Sequence, residues 1–245
     1  MSNFLKDVGQ PIVYKIINPF INLLVKLGVT PNVITVIGFL INIGAAVIFV
    51  LGADEPRSDL SYIGWGGVVI LFAGLFDMID GRLARVGKME SSFGALFDSV
   101  LDRYSELVMF LGICYYLVAQ NYFLSSLFAF IAMIGSLMVS YVRARAEGLG
   151  IECKSGLMQR PERILLVGIS AIVCYLFKDY TGEFKATLPG TNIPIFESIT
   201  IFTLPIFVMA FLTNWTAVQR LQESKTALDK LDTERKKKKV HGTGK

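Results

Sequence analysis

Histidine, paired cysteine and charge are all scarce in this chain. One of its 245 residues is a histidine, His241 in a polar tail, so histidine metal ligation and a histidine general base are effectively excluded. Three cysteines, Cys114, Cys153 and Cys174, lack paired spacing, which argues against a disulfide framework or a zinc site. Cys114 and Cys174 lie in apolar blocks and read as small buried side chains. Charged residues make up 18% of the chain, against about 25% in soluble domains. Apolar residues reach 53%, with a mean hydropathy of +0.55. Those values exclude disorder and most soluble folds. No internal repeat or second domain stands out, and no nucleic-acid partner is expected. The N-terminal region has no basic segment followed by an uninterrupted apolar run and a small-residue cleavage site, so no cleavable signal is expected.

What is present is apolar sequence in long blocks. Crossing about 30 Å of hydrocarbon takes roughly 20 helical residues. Six segments approach this length: 31–52, 62–84, 94–119, 123–141, 164–177 (the shortest) and 199–217. With both termini inside, 21 of the 24 Lys and Arg residues fall on the cytoplasmic side, and only Arg57, Lys178 and Lys185 fall outside. The pattern predicts an all-α, polytopic protein of the cell (inner) membrane with six transmembrane helices. Before them, Phe4, Val8, Ile12, Ile16, Phe20, Leu23 and Leu27 recur at three- and four-residue steps among Lys and Asn, as in an amphipathic helix lying in the interface. Pro19 should bend or divide it. Thr30 and Pro31 suit the N-cap and first position of the first span. The expected organisation is a juxtamembrane helix over 1–29, a transmembrane domain over 30–222 and a basic tail over 223–245. The tail's run Arg235–Lys239 either holds anionic lipid or simply reinforces topology. Gly64, Gly66, Gly67 and Gly74 read as close helix packing.

The second and third spans carry residues that a membrane helix should avoid. Asp77 and Asp80 are three apart, and Asp98 and Asp102 four apart, so each pair shares a helix face. One charge at a bilayer centre costs about 2.5–3.5 kcal/mol, and four bare carboxylates would cost on the order of 10 kcal/mol while repelling one another. Something cationic must sit between them. Oxygen-only ligands favour Mg²⁺ or Mn²⁺ over zinc. Alternatively Arg82, Arg85 and Arg103 could neutralise some of them as plain salt bridges. The small residues Gly81, Ala84 and Gly94 among the acids would leave room for a bulky ligand group.

The run Asp77-x2-Asp80-Gly81-x2-Ala84-Arg85-x8-Gly94-x3-Asp98-x3-Asp102 resembles the signature of the CDP-alcohol phosphotransferase family at all eight fixed positions in 26 residues. The resemblance implies an integral membrane enzyme, usually homodimeric, in which the hydroxyl of a polar alcohol displaces CMP from a CDP-linked lipid. It further implies that Asp77, Asp80 and Asp98 bind the divalent metal. Asp102 would be the general base, also near the metal. Asp77, Gly81, Ala84, Arg85 and Gly94 would line the CDP site.

A second segment bears on the alcohol. Arg143, Arg145, Lys154, Arg160 and Arg163 crowd one cytoplasmic connection. Guanidinium groups at helix ends suit a bidentate grip on phosphate. Glu147, Glu152 and Glu162 could instead pair with several of them. Ser140-Tyr141-x-Arg143-Ala144-Arg145-Ala146-Glu147 and Arg160-Pro161-Glu162-Arg163 resemble the branch that joins CDP-diacylglycerol to inositol phosphate. On that analogy Arg220 is a further anion contact. Glycerol 3-phosphate is the alternative acceptor, since the branch using it shares part of the segment. From a different class, a divalent-cation transporter would also place carboxylates between spans, but nearer the midplane.

Overall fold

The computed structural model describes residues 10–153, 156–178, 186–187, 194–196 and 199–242; side chains of 10–16, 186–187, 194–196 and 235–242 fall outside this description, as do 1–9 and Lys154. Of the expected interfacial stripe, Phe4, Val8, Ile12 and Ile16 therefore lie outside the described side chains. Seven helices appear among the described residues: α1 (Gln10–Lys26), α2 (Pro31–Gly52), α3 (Ser61–Gly87), α4 (Ser92–Ala119), α5 (Phe123–Gly148), α6 (Arg160–Leu176) and α7 (Thr200–Gly242). Between α6 and α7 lies a small antiparallel ribbon, β1 (Ala186–Thr187) against β2 (Pro194–Phe196), a detail that the all-helical expectation lacked.

Four helices end in the same way. After α1, the Val29 N–H reaches the Leu24 carbonyl and the Gly28 N–H reaches Val25, with Gly28 at φ 70°. This Schellman arrangement satisfies carbonyls that a helix end leaves unpaired. It recurs at Lys88 after α3, Asn121 after α4 and Gly150 after α5. Pro19 falls inside α1 without ending it. Pro31 opens α2 as expected, but Thr30 contributes its backbone carbonyl and not its side chain.

Helices α2 to α7 form a closed ring in the order α2, α3, α6, α7, α5, α4 and back to α2, and α1 lies against α3. Small residues set the spacing. A Cβ on Gly64 would stand 2.6 Å from Tyr175, and one on Gly67 would stand 2.7 Å from Ala171 and the Gly168 carbonyl, which lets α3 and α6 touch along their backbones. In the ring's middle, Phe49 stacks on Phe202 at 6.1 Å and meets Tyr116 edge-on at 6.2 Å, among Met109, Ile113 and Met209. Trp65, Phe72, Leu111, Phe130 and Phe211 point outward, where a soluble protein would have an aggregation-prone patch and a membrane protein has its lipid face.

Among the described residues four helices, α2, α3, α5 and the apolar part of α7, are long and apolar enough by themselves to cross a bilayer. Two expected spans do not meet that criterion. Helix α4 carries Asp98, Asp102 and Arg103 in its first half and Glu106 at its middle, and α6 is only 17 residues long. Both nevertheless sit between apolar helices in the ring. The chain is a multi-pass membrane protein. Its last helix is continuous through the expected boundary at 222/223, and Ala227, Leu228 and Leu231 pack on Ala146, Ile151 and Cys153.

Candidate active site

The site begins with a short turn. Helix α3 stops at Lys88, which adopts φ 52°, and Ser91 caps α4 by accepting from the Gly94 N–H at 2.9 Å. The chain thus reverses within four residues, bringing Gly94, Asp98 and Asp102 back past Asp80 and Asp77. Both helices pack on α2, which leaves room between them. All four aspartates lie within electrostatic reach of one another. Asp80 is only 4% exposed; the Thr35 side chain reaches it, yet its Oδ2 is buried without a hydrogen-bond partner.

The cation between the two helices is Arg160, from the first turn of α6. Its Nη1 contacts the Asp77 carboxylate on α3 and lies 2.8 Å from Asp102 Oδ1 on α4. The sequence alternative to a metal was neutralisation by Arg82, Arg85 and Arg103, and of these Arg103 lies within electrostatic reach of Asp98. Arg82 donates to Asn18 of α1 at 3.1 Å, and Arg103 donates to the Ser99 carbonyl. With Arg160 among the carboxylates, no three acidic, Cys or His side chains among the described residues converge as a metal would require. The donors themselves fit a divalent cation. They are anionic oxygens, and the unsatisfied, buried Oδ2 of Asp80 is an acceptor waiting for one.

Next to Arg160 opens a cavity of about 480 Å³ between α4, α5, α6 and α7. Asp102, Arg103, Arg143, Arg160, Arg163 and Arg220 line it, with Glu106, Glu147 and Gln159. Four of the five expected acceptor arginines are therefore brought together. Arg145 is not: it faces a separate groove of about 390 Å³ with Tyr141, Leu221 and Lys225, because a two-residue step along α5 turns it away from Arg143.

The gathered arginines are not equivalent. Arg163 is 1% exposed and holds Glu106 through two bonds, Nε to Oε1 at 2.6 Å and Nη2 to Oε2 at 2.8 Å, while Nη1 donates to the Met158 carbonyl at 2.6 Å. Its guanidinium is largely committed to a buried ion pair. Arg143 pairs with Glu147 at 2.9 Å on an exposed face, and Arg220 Nη1 donates to the Val139 carbonyl at 2.8 Å. The base of α6 is held locally as well, since Glu162 accepts from the Gln159 N–H at 2.9 Å.

At the expected CDP side, a Cβ on Gly81 would meet only the Arg85 guanidinium, at 3.7 and 3.8 Å, so space remains over that turn. Ala84 is half-buried one turn on, and Arg85 is exposed. Gly94 has a local reason as well: a Cβ there would come within 2.9 Å of the capping Ser91 Oγ and 3.4 Å of Asn32 Oδ1. Sequence reasoning did not weigh Asn32, Thr35 or Glu106. Glu106 carried a readable signal, being an acid one turn beyond Asp102 and immediately before the apolar run 107–119.

Residues 28–217 match the family model described as CDP-alcohol phosphatidyltransferase. The chain is 31% identical over 221 residues to the phosphatidylinositol phosphate synthase of Mycobacteroides abscessus, covering 89% of this chain and 87% of that one. It also resembles a crystal structure of the Mycobacterium tuberculosis phosphatidylinositol phosphate synthase with CDP-DAG bound, at a TM-score of 0.68 and 27% identity, over 86% of this chain and 94% of that one. A second structure of that enzyme, in complex with manganese and citrate, aligns at a TM-score of 0.66 and 27% identity, over 85% and 88% of the two chains.

Proposed function

The chain belongs to the CDP-alcohol phosphatidyltransferase family, and from that premise we propose that it transfers the phosphatidyl group of CDP-diacylglycerol to inositol phosphate, releasing CMP and forming phosphatidylinositol phosphate. The observation that carries the choice of acceptor is the arginine-lined cavity ending at Asp102. A free serine, choline or ethanolamine would not need that much positive charge. A phosphorylated polyol would, because its phosphate can dock among Arg143, Arg160 and Arg220 while a ring hydroxyl points to the aspartates.

In this reading Asp102 accepts the proton of that hydroxyl as its oxygen bonds to the phosphorus bearing the diacylglycerol, and the bond from that phosphorus to the CMP oxygen breaks. Asp77, Asp80 and Asp98, with Asp102 adjacent, are the residues that hold Mg²⁺ or Mn²⁺. The bound ion supplies positive charge against the diphosphate and the departing CMP. Asp77, Gly81, Ala84, Arg85 and Gly94 form the nucleotide side, where small residues keep the approach open. Arg163 acts through Glu106 and the α6 turn more than through direct contact. Arg145 contributes charge at the surface, outside the acceptor cavity.

The proposal includes six crossings, both termini in the cytoplasm of a cell with this enzyme in its inner membrane, and a homodimer. The paired ends of α3 and α4 would then lie where a lipid tail stays in the bilayer while the nucleotide stays wet. CMP release by purified protein with CDP-diacylglycerol, Mg²⁺ or Mn²⁺ and a panel of alcohols tests the reading. Release is expected with inositol phosphate and much less with free inositol. Preference for glycerol 3-phosphate would replace the acceptor. No release with any alcohol, together with metal uptake into liposomes, would replace the enzyme with a transporter.

A further inference from the structure

Arg160 and Arg163 are one helical turn apart and face different fates. Arg163 uses Nε, Nη1 and Nη2 against Glu106 and the Met158 carbonyl and is sealed from solvent. Arg160 makes both of its carboxylate contacts through Nη1 alone, its Nε is buried without a partner, and its side chain remains 19% exposed at the cavity wall. The first is a completed structural pair. The second is an incomplete one, in which a single nitrogen is shared between Asp77 and Asp102.

Its position is also contested. The carboxylates that Arg160 contacts, those of Asp77 and Asp102, belong to the set proposed to hold the divalent ion. A divalent cation and a guanidinium cannot occupy the same space between α3 and α4. On its other side Arg160 faces Arg103, Arg143 and Arg220 across the cavity, where a phosphate would be a better partner than three like charges.

We propose that Arg160 is an exchangeable counter-ion: in the metal-free protein it bridges Asp77 and Asp102, and on metal binding it is released into the cavity to bind the acceptor phosphate. This rests on the reading of the aspartates as a divalent-cation site. Metal and acceptor then reinforce each other through one side chain, and by reciprocity each tightens the binding of the other to the same degree. Asp102 is likewise freed from its guanidinium partner as metal and acceptor phosphate bind, which links unmasking of the base to the presence of both.

The test measures Mn²⁺ binding, not turnover. Detergent-purified protein without lipid substrate is titrated with Mn²⁺ and free ion is read by electron paramagnetic resonance, for the wild type and for Arg160→Gln. Each is titrated with and without sulfate, a phosphate-like dianion, against chloride at equal ionic strength. Removing the competing guanidinium should tighten Mn²⁺ binding by about fivefold or more, the lower end of ordinary coupling between sites. Sulfate should tighten Mn²⁺ binding to the wild type and have no effect on Arg160→Gln. Equal or weaker binding by the folded variant, or no sulfate effect in the wild type, would overturn the exchange while leaving the metal site standing. If the variant fails to fold, the sulfate response of the wild type decides alone. Mn²⁺ bound by neither protein would remove the metal reading, and the exchange with it.

Discussion

Replacing Arg163 by alanine separates a structural arginine from a substrate-binding one. In the native protein its guanidinium and the Glu106 carboxylate are both buried and share two hydrogen bonds, and the third goes to the Met158 carbonyl at the end of the connection before α6. Truncation leaves the Glu106 charge in a low-dielectric site with no counter-ion, which ordinarily costs about 3–5 kcal/mol. For a domain of this size that corresponds to a melting temperature roughly 6–20 °C lower. Glu106→Ala should cost a similar amount for the opposite charge. The double variant Arg163→Met with Glu106→Leu should regain most of the loss, because an apolar pair of similar volume needs no compensation. Thermal unfolding in detergent reads the three proteins, and initial rates read KM for both substrates. Because the pair anchors the turn that carries Arg160, the double variant should raise KM for the phosphorylated acceptor while KM for CDP-diacylglycerol stays near its native value. If Arg163→Ala melts like the wild type and only its acceptor KM rises, the guanidinium is gripping the substrate and the structural reading is wrong.

Asp102→Asn should retain CDP-diacylglycerol binding and lose about 10²–10⁴ in kcat, the usual contribution of a positioned base; an unimpaired rate would remove it from that role. Asp80→Asn should weaken Mn²⁺ binding and raise the metal concentration needed for CMP release, and full activity at ordinary Mg²⁺ would contradict its assignment as a ligand. Lys88→Gly should raise thermal stability by up to about 1 kcal/mol, since an L residue is strained at φ 52°; a fall would mean that the lysine side chain has a contact worth more than the strain. Ending the chain at Gln222 strips Ala227, Leu228 and Leu231 from Ile151 and Cys153. It should raise acceptor KM by about tenfold, within what a small misplacement costs, and leave the liponucleotide KM alone.

Hydropathy located the apolar middles of the helices better than it located their ends. The first span and α2 coincide at 31–52, because Pro31 begins the helix and the apolar run ends with it. The fourth apolar run stops at 141, but α5 continues to Gly148 through Arg143 and Glu147, whose side chains pair one turn apart on an exposed face. Helix α6 likewise starts four residues before its apolar segment, in the polar Arg160-Pro161-Glu162-Arg163, where proline and a back-bonding glutamate favour a helix start that no hydropathy window detects. The aspartate faces were legible from spacing, since three- and four-residue steps are a local property of a helix. The identity of their counter-ion was not. Arg160 lies 83 residues from Asp77, and Glu106 lies 57 residues from Arg163, so both pairings depend on how α6 enters the ring.

The ring order explains why one arginine can serve both halves of the site. Helices α3 and α4 are sequential and joined by a short turn, yet each leans on α2, so their carboxylates face a gap and not each other's backbone. Helix α6 packs on α3 from the far side and on α7, and its N-terminus therefore arrives at the gap from the side where α4, α5 and α7 enclose the cavity. Whatever occupies the first turn of α6 must border both the acidic gap and the basic cavity. A neutral residue there would leave like charges unscreened on either side, and a carboxylate would deepen the repulsion among the aspartates. A lysine could neutralise them as a point charge, but once released into the cavity it would lack the planar edge that a guanidinium offers phosphate. A planar guanidinium at position 160 meets all of these demands, so Arg160→Lys should preserve folding yet lose the coupling between metal and anion that Arg160 provides.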